Sequence, residues 1–445
     1  MQSHTLPEGR GGVYISTYGC QMNVNDTERM YSLLEMMNYT PVNAPEDASL
    51  IIINSCSVRE KPVHKVHSEV GTYRKLKERR PQLKIGVAGC VSQQEKGKLF
   101  KDVPLIDFVI GPDNIDKLPS VIEELLETEE RQLSASFDHK SGYHIETLVR
   151  NPGVSTFVNI TKGCDNFCTF CIVPFTRGRE RSRPLRHLID DVNRLVSRGV
   201  REVTLVGQNV NSYLSDCGAN FGELLDKIAS ETDVLRIRYT TPHPKDFNRE
   251  LMEIMERHKE KVCEYLHLPV QSGNTEVLKR MNRGYSREEY LEKVKMIQEV
   301  FPSVVFSTDI IVGFPGETEE QFQDTMRLLD EVPYETLYAF KYSPRPFTKA
   351  AQFHDGVPED VKSRRLTELL EKHRVISFDL AKKYVGQVLE VLVEEPSRGE
   401  GSMTGRSTHN KRVHFTGGDG SLIGKIVPVK IETAYPGTLH GVLFE

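Results

Sequence analysis

Three cysteines stand close together near the middle of the chain. The stretch "GCDNFCTFCIVP" at residues 163–174 has the spacing C-x3-C-x2-C, formed by Cys164, Cys168 and Cys171. Thiolates at such short spacings bind zinc or iron–sulfur clusters, and a structural zinc site has four protein ligands. No fourth ligand follows nearby, because the next cysteine is Cys217. A metal site that keeps one coordination position open is typical of catalysis.

A second set of cysteines lies in the first quarter of the chain. Cys20 follows "VYIST", Cys56 follows "LIIINS" and Cys90 follows "KIGVAG". These β-branched runs are typical of buried parallel strands, and amphipathic stretches at residues 25–38 and 65–79 separate them. The βαβα pattern predicts a doubly wound parallel sheet, whose carboxyl edge would gather the cysteines. The alternative is that they are buried thiols that only fill the core.

The composition is that of a soluble globular protein with several domains. The chain has 445 residues, a formal net charge of −5 and eight cysteines. Residues 1–12 lack the hydrophobic stretch of a signal peptide and no apolar run is long enough to span a bilayer, so we expect a cytoplasmic protein without membrane contact. Thiols stay reduced in that compartment, so disulfides are not expected. Nucleic-acid binding would depend on local basic patches, since the net charge is negative.

The pattern along the chain predicts three domains of α/β, α/β and β class. Residues 12–130 form the parallel-sheet domain, and the polar residues 131–152 are predicted to be a linker. Residues 153–382 contain six βα units, which favours a partial (β/α)6 barrel with an open side. Residues 383–445 are rich in valine, glycine and turn signals, which indicates a small β-barrel. The C-x3-C-x2-C loop follows the first barrel strand, where active sites of such folds lie.

This loop resembles the cluster-binding loop of the radical S-adenosylmethionine superfamily. The resemblance rests on the spacing and on the aromatic Phe170 just before the last cysteine. It implies a [4Fe-4S] cluster held by three thiolates, with S-adenosylmethionine chelating the remaining iron and being cleaved to a 5′-deoxyadenosyl radical. A zinc knuckle that borrows a distant ligand is the alternative.

Both cysteine sets together resemble the methylthiotransferases of that superfamily, over essentially the whole chain. The motifs are "YGCQMN" (18–23), "NSCSVRE" (54–60), "GCVSQ" (89–93) and "GCDNFCTFCIVPFTRGRERSR" (163–183). They are similar to those of the branch that acts on tRNA, with Ser55 where the family usually has threonine. The resemblance implies a second [4Fe-4S] cluster, held by Cys20, Cys56 and Cys90, that supplies the sulfur.

The resemblance also implies a reaction and its partners. A methylthio group would be added to C2 of N6-(dimethylallyl)adenosine next to the anticodon of tRNA. One S-adenosylmethionine would methylate the sulfur and another would supply the radical. The expected partners are the anticodon stem-loop, an electron donor such as flavodoxin or ferredoxin, and an iron–sulfur cluster carrier. The protein is expected to be a monomer.

Two loops are candidates for binding S-adenosylmethionine. The segments "PVQSGN" (269–274) and "VGFPGET" (312–318) follow the fourth and fifth predicted barrel strands. By the resemblance, Gln271, Ser272 and Gly313 would bind the cofactor together with Phe170. The alternative is that they only form tight turns.

Two basic stretches are candidates for binding RNA. "TRGRERSRPLR" (176–186) follows the cluster loop, and "GRSTHNKRVHF" (405–415) lies in the last section, which resembles a TRAM domain, an RNA-binding β-module. Arginine forks suit phosphate groups, so the candidate residues are Arg177, Arg179, Arg181, Arg406, Lys411 and Arg412. The alternative is an ordinary solvated run of charges.

Other functions remain open. A methylthiotransferase could act instead on a ribosomal protein aspartate or on threonylcarbamoyl-adenosine in tRNA. The chain could also be an electron carrier with two clusters, or an RNA-binding protein with structural metals. A carrier would need protein ligands on every iron and would need neither a partial barrel nor a β-module.

Overall fold

The computed structural model describes residues 9–57, 60–137, 143 and 145–444, with the side chains of residues 60–64 left aside. Its first part is a six-stranded parallel sheet in the order β2-β1-β3-β4-β5-β6. The strands are β1 Gly11–Tyr18, β2 Tyr39–Pro41, β3 Ala48–Ser55, β4 Lys84–Ala88, β5 Phe108–Ile110 and β6 Gln132–Ser134. The strand order reverses between β1 and β3, and the crevice at such a switch point is where ligands bind in open α/β sheets.

Helices cover both faces of this sheet, as the sequence predicts. They are α1 Gln21–Met36, α2 Glu60–Thr72, α3 Arg74–Arg79, α4 Cys90–Glu95, α5 Lys98–Asp102 and α6 Leu118–Thr128. Alternate residues of β3 enter opposite cores: Ile52 packs in the core under α1, and Ile51 and Ile53 pack with Val66 of α2. The amphipathic stretch 65–79 forms two helices that meet at Tyr73, whose ring is buried in the second core.

The segment predicted as a linker is only partly a linker. Strand β6 falls within residues 131–152 and pairs in parallel with β5 as the edge of the first sheet. Short apolar strands at a sheet edge lack the long β-branched run that marks β3, so the sequence pattern gives little sign of them. Residues 138–142 and 144 of the predicted linker lie outside the described residues.

The middle part is the predicted partial barrel of six parallel strands. Its strands, with two short strands at the mouth, are β7 Ser155–Asn159, β8 Thr161–Lys162, β9 Arg181–Ser182, β10 Glu202–Val206, β11 Arg236–Tyr239, β12 Tyr265–His267, β13 Val305–Val312 and β14 Tyr334–Lys341. Two three-stranded sheets, β11-β10-β7 and β12-β13-β14, are joined where Ile237 pairs with Val262. Strands β8 and β9 form a separate antiparallel pair.

Helices surround the barrel and enclose the largest apolar core. They are α7 Val173–Thr176, α8 Leu185–Ser197, α9 Phe221–Glu231, α10 Arg249–Arg257, α11 Thr275–Arg280, α12 Arg287–Val300, α13 Glu319–Glu331 and α14 Glu359–Lys382. The predicted capping box is present at α13, where Thr318 accepts from the backbone N–H of Gln321 and the Gln321 side chain accepts from Thr318.

The last part is a closed five-stranded barrel in the order β15-β16-β17-β19-β18. Its strands are β15 Val388–Pro396, β16 Ser402–Ser407, β17 Arg412–Thr416, β18 Ile426–Tyr435 and β19 Thr438–Leu443. Its β16–β17 turn docks where the strands of the (β/α)6 barrel begin: Arg238 of β11 donates to the carbonyl oxygens of Ser407 and Thr408, at 2.6 and 3.0 Å. Within the described part of the chain, no helix has the length and apolar character needed to cross a bilayer.

Candidate active site

The cysteines of the first set lie together at the carboxyl edge of the parallel sheet. Cys20 is the N-cap of α1, Cys56 directly follows β3, and Cys90 is the first residue of α4. The Cys56 thiol lies between the other two and hydrogen-bonds with both. We call these residues the first triad. The sheet topology therefore brings together cysteines that are 70 positions apart at the extremes of the set.

Two buried asparagines hold the loops of the first triad. Asn54, at the end of β3, donates to the backbone oxygen of Asn23 at 2.8 Å, and the Asn23 amide donates to Asn54 Oδ1 at 3.0 Å. The Cys20 thiol donates to Asn23 Oδ1 at 3.4 Å. Both asparagines are fully buried, so these bonds are shielded from water. The network fixes the turn after β1 against the end of β3.

An arginine from the barrel completes the surroundings of the first triad. Arg177 follows α7 and is only 3% exposed. Its Nε donates to Cys90 Sγ at 3.3 Å, and its Nη2 donates to Asp26 of α1 at 2.7 Å. A second contact between the same two parts runs from Asn159 at the end of β7 to Asn25, at 2.6 Å. The first triad therefore lies at the interface between the sheet domain and the barrel.

These surroundings favour thiolates at two of the three positions. The hydrogen bond from Cys56 is the main cause that lowers the pKa of Cys20 and of Cys90, and the positive charge of Arg177 lowers both further. The pKa of Cys56 is raised, because its proton is shared with Cys20 and Cys90 and because the thiol is buried. Thiolate is the form that binds iron.

The second triad, Cys164, Cys168 and Cys171, lies in one loop at the mouth of the barrel. The backbone N–H of Cys171 donates to the carbonyl of Cys168 at 2.9 Å, which makes a tight turn. Gly163 opens the loop with a φ of +80°, and a Cβ there would lie 2.1 Å from the backbone oxygen of Arg179. Only glycine fits this position, because it tolerates the left-handed conformation and has no side chain to clash.

Two residues that follow α11 form hydrogen bonds with the loop of the second triad. Arg283 is buried and donates to Cys168 Sγ at 3.4 Å and to the Pro269 carbonyl at 2.7 Å. Asn282 donates to two backbone oxygens of the cysteine loop, at 3.1 Å each. Burial raises the pKa of Cys164 to about 11 and that of Cys171 to about 12. Unlike the first triad, this loop therefore favours protonated thiols at these two positions until a metal displaces the protons.

Both donor sets fit a four-iron cluster with one open iron. Each offers three thiols, one of which accepts a hydrogen bond from a buried arginine, as expected for the outer-shell contacts of metal-bound thiolates. Within the described ranges, no three or more His, Cys, Asp or Glu side chains are grouped to hold a single metal ion. A cubane cluster does not need that grouping, since each thiolate binds a different iron.

The residues expected to bind S-adenosylmethionine line the same mouth. Gln271 has a φ of +77° and its backbone pairs with β13, which turns the loop after β12 inward. Ser272 is fully buried, with its hydroxyl 3.5 Å from Thr325, and Phe170 packs against an apolar cluster with Phe314 and Tyr342. The side-chain amide of Gln271 has no hydrogen-bond partner within the chain's described residues, and a bound cofactor would supply one. A cofactor contact at these positions stays a prediction.

Gly313 is held by a residue that the sequence pattern did not single out. Its N–H donates to Glu317 Oε2 at 2.6 Å, and Glu317 is paired with Arg365 at 2.8 Å. Both partners are buried. The left-handed φ of +69° and the Lys362 side chain, 2.3 Å from an ideal Cβ, exclude a larger residue at Gly313.

The structure corrects the expectation that the arginines after the second triad all face RNA. Arg177 points into the interface and contacts Cys90 and Asp26, and Arg181 pairs with Asp113 of the sheet domain. Arg179 is the exposed residue of the three, with its side chain 66% accessible, and it pairs with Asp165. Two of the three thus join the sheet domain to the barrel.

The basic stretch of the last domain needs a similar correction. Lys411 is buried and pairs with Glu335 of β14 at 2.7 Å, so its charge is used at the contact with the barrel. Arg406 is partly buried against Glu394, while its carbonyl accepts from Arg236 of the barrel. Arg412 is exposed and pairs with Glu395, so it is accessible to RNA. The β16–β17 turn is therefore mainly a docking element.

Sequence reasoning missed the polar residues that support the two triads. Asn23 and Asn54 lie inside the quoted cysteine motifs. The sequence did offer a signal for Asn54, since a polar residue at the end of a buried strand such as β3 needs hydrogen-bond partners. Asp26 and Arg283 carry no such signal, because their partners, Arg177 and Cys168, are far away in sequence.

Three family models match the chain. The model described as the radical SAM superfamily matches residues 158–329, the model described as Uncharacterized protein family UPF0004 matches residues 12–111, and the TRAM domain model matches residues 382–444. The first span runs from the end of β7 to α13 and leaves out β14 and α14, the second covers β1 to β5 and leaves out α6 and β6, and the third covers the closed β-barrel.

Curated relatives are similar over nearly the whole length. The tRNA-2-methylthio-N(6)-dimethylallyladenosine synthase of Bdellovibrio bacteriovorus is 63% identical, over 97% of this chain and 95% of the relative. Proteins of the same name from Carboxydothermus hydrogenoformans and Aquifex aeolicus are 46% and 44% identical, over 97% of this chain and 98% of each relative.

A solved structure supports the fold. The radical S-adenosylmethionine methyltransferase TsrM from Kitasatospora setae superposes with a TM-score of 0.56 at 15% identity, over 76% of this chain and 75% of that one. At this identity the likeness concerns the fold, and not the reaction.

Proposed function

The chain belongs to the family of the tRNA-2-methylthio-N(6)-dimethylallyladenosine synthases, which are radical S-adenosylmethionine enzymes, and we propose that it adds a methylthio group to C2 of N6-(dimethylallyl)adenosine next to the anticodon of tRNA. The observation that carries the proposal is the presence of two cysteine triads, one at the carboxyl edge of the sheet and one in the loop at the mouth of the barrel. A chain with only one triad could bind a cluster for radical chemistry, but it would have no second site to supply sulfur.

Each triad is proposed to hold one [4Fe-4S] cluster. Cys164, Cys168 and Cys171 would bind the cluster that reduces S-adenosylmethionine to a radical, and the first triad would bind the cluster that supplies sulfur for methylation and transfer. The chain's own contribution is to fix the thiols: Arg283 holds Cys168, and Arg177 holds Cys90.

The loops after β12 and β13 are proposed to orient S-adenosylmethionine. Gln271 is proposed to contact the cofactor through its side-chain amide, and Ser272 and Gly313 through the tight turns of their loops. Phe170 offers an aromatic wall beside the cysteine loop. Burial of these residues limits water near the reacting atoms, which protects a radical from side reactions.

The tRNA substrate is proposed to approach the mouth of the barrel and to contact the last domain. An unpaired anticodon-loop base can leave its stack and enter a pocket, which a duplex base does only at a cost. The exposed Arg179 and Arg412 are the accessible candidates for phosphate contacts. A cytoplasmic location is proposed as well, because the proposed substrate is a tRNA. A flavodoxin or ferredoxin as reductant, a cluster carrier and a monomeric state complete the proposal.

The relatives' names favour an adenosine of tRNA over the alternative substrates, and a direct assay separates them. The reconstituted protein is incubated with dithionite, S-adenosylmethionine and an anticodon stem-loop that contains N6-(dimethylallyl)adenosine, and the digested nucleosides are analysed by mass spectrometry. We expect the 2-methylthio nucleoside. The matched controls are the same stem-loop with unmodified adenosine and one with threonylcarbamoyl-adenosine. Methylthiolation of the threonylcarbamoyl substrate alone would contradict the proposal.

A further inference from the structure

Arg177 is a barrel residue whose side chain forms hydrogen bonds with the sheet domain, to Cys90 and to Asp26 of α1. It stands six positions after Cys171, the last cysteine of the second triad, and directly after α7. Its guanidinium leaves the barrel and reaches Cys90 Sγ at 3.3 Å and Asp26 Oδ2 at 2.7 Å. The same short segment therefore carries ligands of one proposed cluster and a charge for the other.

The charges around this arginine explain why it stays buried. A guanidinium that is 3% exposed needs close anions, because desolvation of an isolated charge is costly. Asp26 supplies one anion, and the thiolates of the first triad are the others within reach. Asp26 lies in the second turn of α1, the helix that Cys20 caps, so the ion pair also ties this helix to the residue that contacts Cys90.

We propose that Arg177 is a positioning residue for the N-terminal cluster, which holds the Cys90 thiolate by a hydrogen bond and keeps a positive charge from the barrel beside that cluster. This inference rests on the proposed function, since it needs a cluster on the first triad. Hydrogen bonds to cluster sulfurs and nearby charge set the reduction potential. A donor and a positive charge favour the reduced, more negative cluster, so Arg177 raises the potential of the N-terminal cluster.

The same contact makes the cluster's environment depend on the docking of the two domains. If the sheet domain moves away from the barrel, Cys90 loses its charged donor, because Arg177 belongs to the barrel. The sulfur-supplying site is thus complete only when it is held next to the radical-generating loop. This arrangement holds the two proposed cluster sites in a fixed position relative to each other.

The test uses the full-length chain with Cys164, Cys168 and Cys171 changed to alanine, so that the iron signal comes from the first triad alone. In this background we compare Arg177, Arg177→Lys and Arg177→Met by redox titration followed by electron paramagnetic resonance. We expect the midpoint potential to fall in the order Arg, Lys, Met, with a loss of about tenfold or more in the ratio of reduced to oxidised cluster at a fixed potential in Arg177→Met. The resonance line shape should change as well.

Arg183→Met is the matched control. Arg183 is equally buried and is paired with one aspartate, Asp191, at 2.6 Å, but its partners lie within the barrel and the segment before it. Its removal should leave the potential of the N-terminal cluster unchanged. If Arg177→Met does not retain iron, Arg177→Gln takes its place, because the glutamine amide keeps a hydrogen-bond donor and removes only the charge; a smaller fall in potential is then expected.

The outcomes separate this inference from the proposed function. A background chain that binds no iron overturns the assignment of a cluster to the first triad, and the inference with it. A background chain that binds iron, with the same potential and line shape in Arg177→Met or Arg177→Gln as in the unchanged chain, overturns the role of Arg177 alone. An equal shift in Arg183→Met also overturns it, since the effect would then be a general loss of packing.

Discussion

The two triads solve the same coordination problem by different routes. The second triad is contained in a single loop from Cys164 to Cys171, while the first is assembled from the ends of two strands and the start of a short helix. A local motif keeps its geometry through one turn. A dispersed site needs the whole sheet, because parallel strands must be in register for their loops to meet.

The electrostatics of the triads differ as well. The first has Arg177 and a network of shared protons that lower the pKa of Cys20 and Cys90, and the second has mainly burial, which raises the pKa of Cys164 and Cys171. If the proposed sulfur donor is consumed when it gives up sulfide, a new cluster of iron and sulfide must be built on the same three thiols. Thiols that are already ionised can bind iron without first losing a proton, so the proposed sulfur donor is the site better prepared for reassembly.

The largest difference between the two triads is expected when one cysteine is removed from each. Cys168→Ala should abolish both the formation of 5′-deoxyadenosine and the methylthio product, because cleavage of S-adenosylmethionine depends on the second triad. Cys56→Ala should still form 5′-deoxyadenosine but make no methylthio product, because its sulfur source is lost. Both products are measured by chromatography with mass spectrometry.

The control for these variants is Cys217→Ala, which removes an exposed cysteine outside both triads and should retain both activities. Methylthio product from Cys56→Ala protein would show that the first triad is not the sulfur source. Loss of 5′-deoxyadenosine in the same variant would mean that the two sites cannot work apart.

A smaller effect is expected from glycines that shape each site. Gly89, before α4, has a φ of +87°, and a Cβ there would lie 2.4 Å from Asn54 Oδ1; Gly163 is equally constrained before the second triad. Alanine should cost about 1–3 kcal/mol in backbone strain, and the clash adds to this cost. We expect Gly89→Ala to lose iron from the first triad and Gly163→Ala from the second, each leaving about four irons per chain.

Gly199→Ala separates strain from clash in this test. Its φ is +98°, but no atom lies within 4 Å of an ideal Cβ, so it carries the strain alone. Iron content by chemical analysis, with resonance spectra to assign the remaining cluster, is the measurement. Equal iron loss in Gly199→Ala would show that general destabilisation, and not the shape of the cysteine loops, controls loading.

Local sequence patterns were enough to predict the elements that carry the cysteines. The β-branched run before Cys56 and the amphipathic stretch after Cys20 each determine a strand or a helix by themselves, and parallel topology follows from their alternation. The strand predictions for the barrel, such as 202–206, match the structure for the same reason. Cluster binding and the cofactor contacts were inferred from resemblance and stay predictions.

The direction of charged side chains could not be predicted in this way. Arg177 and Arg179 are two residues apart in one basic run, yet one is buried and the other is exposed. The difference comes from Asp26, 151 residues away, which no local pattern connects to Arg177. Lys411 is similar, since its partner Glu335 belongs to another domain. A charged side chain is buried where a partner of opposite charge is available. The local sequence shows the charged residue but not its distant partner.

The electrostatic contrast between the triads can be measured most directly on cluster-free, reduced protein. Alkylation by iodoacetamide follows the thiolate fraction, which rises as the pH passes through the pKa of each thiol. The pKa of Cys20 is lowered, first by its hydrogen bond with Cys56 and then by Arg177, and that of Cys164 is raised to about 11 by burial. Cys20 should therefore react at a lower pH than Cys164, as followed by peptide mass spectrometry.

Arg177→Met makes this last comparison specific. Loss of the positive charge should move the alkylation midpoint of Cys20 to higher pH, because its thiolate loses a stabilising cation. Cys164 should not move, since Arg177 is not among the groups that shift its pKa. Equal midpoints for Cys20 and Cys164 in the unchanged protein would mean that the two triads share one electrostatic environment. In that case the first triad would be prepared to bind a new cluster by its geometry, which Asn23 and Asn54 hold, and not by charge.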